Sequence, residues 1–141
     1  MTERSECSAC TGQWPQPGQR IADLDQSIAY LHDDQFFPGW TVLVLKRHAT
    51  ELFALTPAER AALMEEVSRV AQALARVFGA HKMNYELLGN QIAHIHWHLI
   101  PRLATEPRRA EPVWSQDHSR LVLPAAERTE RVARIRAALE R

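Results

Sequence analysis

The stretch His94-Ile95-His96-Trp97-His98-Leu99-Ile100 alternates imidazole and apolar side chains with a period of two, the period of a β-strand. As a strand it puts His94, His96 and His98 on one face and Ile95, Trp97 and Leu99 on the other, where they can anchor in a core. Wound as a helix, the same three histidines would fan over more than half the circumference. Three neighbouring imidazoles cannot all hold a proton cheaply, because each charge depresses the pKa of the next and leaves lone pairs near neutral pH. Such a row suits attack on phosphorus through a covalent phospho-histidine, with a neighbouring histidine giving a proton to the leaving group. It equally suits three metal-binding imidazoles with an open position for water. The plain alternative is three solvated histidines on an exposed strand; we read the face as an active site.

Working outward, Lys82–Leu88 reads as the strand before, joined to the histidine strand around Gly89-Asn90. Upstream, Thr56-Pro57-Ala58-Glu59 combines a capping box with proline at the first helical position. Leu63, Met64, Val67, Val70, Ala71, Leu74, Val77 and Phe78 follow at helical spacing, and Gly79 closes the helix. Gln19–Asp25 and Ser27–His32 read as short strands, and the turn Phe37-Pro38-Gly39 feeds the apolar strand Trp40–Lys46, which predicts an antiparallel meander. Residues 1–19, broken by Gly12, Pro15, Pro17 and Gly18, form an irregular loop carrying Cys7 and Cys10. Arg102–Pro124 contains Pro107, Pro112 and Pro124 and reads as a looping tail. Ala125–Arg141 sets Val132, Ile135 and Leu139 on one stripe of a terminal helix. Strands, helix, strands, tail and helix make an α+β layout in one domain.

The 141 residues are 45% hydrophobic and 24% charged, enough for one core, and the 17 basic residues balance the 17 acidic ones. A net charge of +0 argues against a chain held to nucleic acid or to an anionic membrane by its overall field, and favours a small, specific ligand. No apolar run approaches the ~20 residues of a membrane span. Met1–Cys7 lacks the apolar core of a signal peptide, so a cytoplasmic location is expected. There, Cys7-Ser-Ala-Cys10 is not expected to be a structural disulfide, and its two-residue spacing lets both thiolates bind one tetrahedral metal. The solitary His32, His81 and His118 are assigned surface or packing roles.

The heptad of residues 94–100 resembles the motif of the histidine triad (HIT) family. Asp33, Pro38-Gly39, the strand into Lys46-Arg47-His48, the long helix, Asn84, Gly89-Asn90-Gln91 and Pro101-Arg102 stand in that family's order across residues 20–102. The resemblance implies a HIT-like α+β fold: an antiparallel sheet, one long central helix and a C-terminal helix, paired as a homodimer. The chain then divides into an N-terminal loop (1–19), a HIT core (20–102) and a tail with its helix (103–141). It also implies hydrolysis or transfer at the α-phosphate of dinucleoside polyphosphates or nucleoside phosphoramidates, without a catalytic cofactor. His96 would be the nucleophile, His98 a phosphate-facing neighbour assisting the leaving group, and His94 a buttress for His96. Asn84, Asn90 and Gln91 would meet phosphate oxygens, and Asp33, with Asp34 as the alternative register, the ribose hydroxyls. Some members resemble this chain in pairing a CxxC with two histidines, which implies a structural zinc on Cys7, Cys10, His48 and His94. Arg102, Arg108, Arg109 and Trp114 have the chemistry to reach the polyphosphate and base of a ligand.

The chain departs from the family's pattern at three points. Trp40 stands where many members carry a histidine, the spacing from Asn84 to His94 is one residue short, and Leu88 and Asn90 flank Gly89 where a small residue and glutamine are common. Two other functions stay open: a nucleotide-binding or regulatory module that turns over negligibly, and an enzyme whose zinc lies on the triad itself.

Overall fold

A computed structural model describes residues 3–141; Met1 and Thr2, the start of the segment expected to lack a signal-peptide core, lie outside the described residues. Among the described residues five strands form one sheet: β1 (Arg20–Asp23), β2 (Ser27–Leu31), β3 (Thr41–Leu45), β4 (Lys82–Glu86) and β5 (His96–Arg102). Their order is β1-β2-β3-β5-β4, with each neighbouring pair antiparallel. The expected meander is β1 to β3. The histidine strand β5 then inserts between β3 and β4, so it is hydrogen-bonded on both sides and its side chains are held in fixed register. No helix among the described residues is long and apolar enough to cross a membrane.

Helix α1 (Pro57–Phe78) starts and stops where its sequence dictates. Thr56 Oγ1 accepts from the Glu59 amide at 3.1 Å while the Glu59 carboxylate accepts from the Thr56 amide at 3.0 Å. Gly79 ends it at φ +61°. Of its buried stripe, Val67, Val70, Ala71 and Leu74 lie on the sheet face formed by Ala29, Leu31, Leu43 and Leu99, while Leu63 packs in a second cluster with Leu45, Ala49, Leu55 and Ile95. Burying leucines as fully as Leu43, Leu74 and Leu99 stabilises by roughly 1.5–3 kcal/mol each. Helix α2 (Ala125–Leu139) adds Val132 and Ile135 to the same core, and its Arg136 donates to the carbonyls of Ile21 at 2.7 Å and Arg20 at 3.1 Å, blunting the β1 edge. Glu66, buried on α1, accepts from Ser27 Oγ at 2.6 Å and from the Gln26 amide at 2.9 Å, tying the helix to the start of β2.

The opposite sheet face carries the candidate site residues His96 and His98. Directly opposed residues share a face, and His98 stands between Val42 and Glu86, with His96 beside Val44. Gly39 brings β3 in: its φ is +91°, and a Cβ there would lie 2.5 Å from the Phe78 ring, so only glycine lets the Pro38-Gly39 turn pass the end of α1.

One expectation is corrected. The histidine strand starts at His96 rather than His94, because the backbone bends at His94 and Ile95 splits its backbone hydrogen bonds between Leu45, the last residue of β3 (3.1 Å), and Ala49 beyond it (2.9 Å). The other strands match within one to two residues at each end.

The tail, residues 103–124, crosses the β2–β3 connection before α2. Asp34 accepts there from the amides of Phe36 and Leu121, each at 3.0 Å, and His118 Nε2 lies 2.7 Å from its carboxylate. That carboxylate raises the His118 pKa, and burial opposes it. On Asp34, burial pushes upward, but the Leu121 amide, His118 and the Phe36 amide together hold the pKa below the usual value. Because the folded His118 pKa is raised, this contribution is complete below about pH 6.5 and is lost as pH climbs through the raised value. Asp34 sets the acid limit, below about pH 3.8. His118→Gln is therefore expected to lower the melting midpoint near pH 6 and to match wild type more closely in alkaline buffer. A pH-independent difference would refute the ion pair.

Candidate active site

Strand parity delivers His96 and His98 side by side, ring centroids 5.2 Å apart and planes at 75°. Both are buried, yet both border a cleft of about 480 Å³ whose rim is Trp14, His32, the loop Leu88–Ile92 and Trp114. His96 Nδ1 lies 2.7 Å from the His94 carbonyl. A carbonyl only accepts, so Nδ1 carries the proton and Nε2 keeps its lone pair. Burial is the main reason His96 holds its pKa below the ordinary value, the bond to His94 opposing it, and so the lone pair is available near neutrality. His98 is driven further, down to about 3, first by burial and then by the charges of His96 and His32. Mutual repulsion among the imidazoles contributes, but removal from water is the larger cause.

Trp40 occupies the place where the resemblance implies a histidine. Its indole Nε1 donates to His98 Nδ1 at 3.0 Å, and its ring is stacked on His32 at 4.2 Å and 13°. His32, expected at the surface or in packing, therefore both packs and lines the cleft. Trp14, edge-on to His96 at 5.0 Å, carried no signal in the sequence because it comes from the irregular N-terminal loop. Trp114 reaches the cleft as its chemistry suggested, 5.2 Å from His98, and donates to Glu86 at 2.7 Å. Burial lifts the Glu86 carboxyl above its usual range against that bond and the charge of Arg102.

The other candidate residues divide. Asn90 and Gln91 line the cleft. Asn84 is on β4 but outside the cleft lining, its Oδ1 accepting from Arg102 Nη1 at 2.8 Å. Asp33 also lies outside it, accepting from Gln19 and, at 2.8 Å, from Arg120. Arg102, a candidate for reaching a ligand, is buried on Glu106 at 3.0 Å and over the Phe37 ring at 5.2 Å. Arg108 pairs with Glu111 and Arg109 with the Ala104 carbonyl at 2.9 Å, so none of these three arginines borders the cleft. An arginine's partner is set by the fold around it, which a linear pattern does not carry.

His94 faces away from that cleft. Its Nε2 lies 2.6 Å from the Leu45 carbonyl, which only accepts, so Nδ1 is free of a proton. Nδ1 meets Cys7 Sγ at 3.4 Å, Cys10 Sγ at 3.5 Å and His48 Nδ1 at 3.3 Å, and Cys10 Sγ meets His48 Nδ1 at 3.3 Å. Ligand atoms of all four residues fall within 4.8 Å of one another, a group able to hold a metal ion. The cysteines are free and Cys7 is buried. Cys7 and Cys10 thus hold their loop against the sheet where β3 exits and β5 begins.

The HIT domain model matches residues 14–105. A histidine triad protein from Bradyrhizobium japonicum superimposes with a TM-score of 0.78 at 31% identity, over 85% of this chain and 89% of that one. A histidine triad protein from Sinorhizobium meliloti gives 0.76 at 34%, over 82% and 85%. A zinc-bound histidine triad family protein from Mycobacterium smegmatis shares the fold at 22% identity and 0.73, over 98% and 96%. Among curated proteins, the asymmetrical bis(5'-nucleosyl)-tetraphosphatase of Schizosaccharomyces pombe is 28% identical over 95 residues, 64% of this chain. The chain spans about half the length of that relative, 52%.

Proposed function

The chain belongs to the histidine triad family, and from that premise we propose that it is a nucleotide hydrolase or nucleotidyl transferase working through a covalent nucleotidyl-histidine. The observation that carries this is the His96–His94 bond: it points an unprotonated Nε2 into a cleft lined by donors. Nε2 attacks the α-phosphorus in line, the N–P bond forms, and the bond to the leaving group breaks with its electron pair. Asn90 and Gln91 hydrogen-bond the phosphate oxygens as charge develops. Asn84 and Asp33 join the substrate contacts only if a bound nucleotide draws them from their present partners. Water then attacks phosphorus: the P–O bond forms, the N–P bond breaks with its electron pair returning to His96 Nε2, and the water's proton passes to solvent.

We further propose that Cys7, Cys10, His48 and His94 hold zinc. A tetrahedron with Zn–S near 2.3 Å and Zn–N near 2.0–2.1 Å has N···N edges of about 3.3 Å and S···N edges of about 3.5 Å. The corresponding separations here are 3.3 Å and 3.3–3.5 Å. Zinc would supply no chemistry to the reaction; it would fasten the N-terminal loop and hold the His94 carbonyl against His96. Because both His94 ring nitrogens face away from the cleft, a zinc shared by all three triad histidines finds no support. The proposed setting is a homodimer of one HIT unit in the reducing cytoplasm, acting on small nucleotides rather than nucleic acid or membrane.

The test is a panel of dinucleoside polyphosphates and nucleoside phosphoramidates, scored for release of nucleoside monophosphate. Turnover of either class is expected. Tight binding with no product across the panel would replace the enzyme by a binding or regulatory module.

A further inference from the structure

An indole N–H can donate but cannot accept, so its choice of partner atom fixes where a neighbouring imidazole carries its proton. Trp40 Nε1 donates to His98 Nδ1 at 3.0 Å in a buried setting. The indole has little freedom to withdraw: His32 is stacked on one face at 4.2 Å, and Phe37 and Trp114 meet it edge-on at 6.1 Å and 5.4 Å. His98 Nδ1 is thus an acceptor, and the single proton of its neutral ring sits on Nε2. Among the described residues Nε2 has no hydrogen-bond partner on the chain, and the residue borders the cleft.

We propose that Trp40 is a positioning residue that locks His98 as a neutral hydrogen-bond donor, and that the cleft is thereby committed to anionic phosphate leaving groups rather than amines. This rests on the hydrolase reading given above. To act as a general acid at neutral pH a histidine must be an imidazolium, with protons on both nitrogens. Protonating Nδ1 would set two N–H groups against each other and lose the Trp40 bond. Burial works in the same direction. Giving up the Nε2 proton from the neutral ring would leave an imidazolate, so His98 donates a hydrogen bond and not a proton.

The leaving group then decides the rate. In a dinucleoside polyphosphate, His96 Nε2 forms the N–P bond as the P–O bond breaks. The electron pair stays on a terminal phosphate oxygen, which has a last pKa of about 6 and departs as a stable anion at neutral pH. The His98 Nε2–H bond to that oxygen strengthens as charge builds, and no proton changes hands. In a nucleoside phosphoramidate the breaking bond is P–N, and the departing nitrogen is far too basic to leave without a proton. Withholding a general acid costs on the order of 10²-fold or more at that step.

Two readouts test this. Nitrogen-15 spectra of histidine-labelled protein, recorded from about pH 6 to 8, are expected to give His98 a protonated Nε2 and an unprotonated Nδ1 throughout. A protonated Nδ1 overturns the proposal. Wild-type kcat/KM is expected to favour diadenosine tetraphosphate over adenosine phosphoramidate by about 10²-fold or more, and Trp40→Phe, which removes the N–H and keeps a ring, to narrow that ratio by roughly tenfold. Trp40→His, whose ring can accept as well as donate, is expected to narrow it too and stands in should the phenylalanine variant fold poorly. A merely structural tryptophan would lower both rates together; an unchanged ratio in the folded variants overturns the proposal. Failure of the parent reading has a different signature. If wild type cleaves neither substrate, the hydrolase reading falls and the leaving-group preference with it, whereas the tautomer is still decided by the spectra.

Discussion

His96→Ala is expected to lower turnover by on the order of 10⁴-fold or more while the protein stays folded and still binds nucleotide. Within the triad the lone pair on Nε2 has no substitute: His98 has its Nδ1 engaged by Trp40, and His94 has both ring nitrogens elsewhere. The structural cost is one side chain and its bond to the His94 carbonyl, about 1 kcal/mol for the bond itself. A melting curve shifted by a few degrees, nucleotide affinity within about tenfold of wild type, and no product together identify the nucleophile. Wild type quenched during turnover with nucleotide labelled at the α-phosphate should carry label on histidine, and His96→Ala should not. Hydrolysis by the alanine variant at a rate near wild type would sink the covalent mechanism.

Cys7→Ser is expected to have the largest effect on stability. It removes one of four candidate ligands from a buried position, and serine does not supply a thiolate. A ligand bound only by the folded state stabilises by linkage, so each tenfold loss of metal affinity removes about 1.4 kcal/mol. For a chain of this size that is roughly 3–6 °C per tenfold step, and the variant should melt on the order of 10 °C lower and contain no stoichiometric zinc. The sheet and both helices should survive, because their core is separate from the clip. Elemental analysis of His98→Ala beside it distinguishes the two possible metal positions. Zinc retained in His98→Ala and lost in Cys7→Ser supports the clip, while the reverse pattern puts the metal on the triad.

Local chemistry made the scaffold legible. Thr56, Pro57, Glu59 and Gly79 delimit α1 by interactions within a turn, and the two-residue period of 94–100 identifies a strand with imidazoles on one side. What the period could not reveal was that the strand begins at His96, because the bend before it depends on Ala49 and Leu45, distant in sequence. The same limit separates the site residues. His96, Asn90 and Gln91 are brought to the cleft by the strand and the loop leading into it. Trp14 arrives from the opposite end of the chain, and Arg102 is withdrawn by Glu106 and Asn84. Trp40 was legible as a departure from the family pattern. Its bond to His98 was not, since it depends on the pairing of β3 with β5.

That pairing also governs how the clip can assemble. Cys7 and His94 stand 87 positions apart, whereas Cys10 and His48 stand 38 apart. His48 follows β3 and His94 precedes β5, and those strands are neighbours with Val44 opposite His96. Sheet formation by itself therefore brings the two imidazoles together. The thiols dock onto a pair already made and close the shorter loop rather than the longer one. Chain entropy rises only logarithmically with loop length, so the saving is about 0.7 kcal/mol. The larger consequence is one of sequence in time: the segment around Cys7 and Cys10 is expected to acquire its partners after the sheet has formed and to exchange its amide hydrogens faster than β3 and β5.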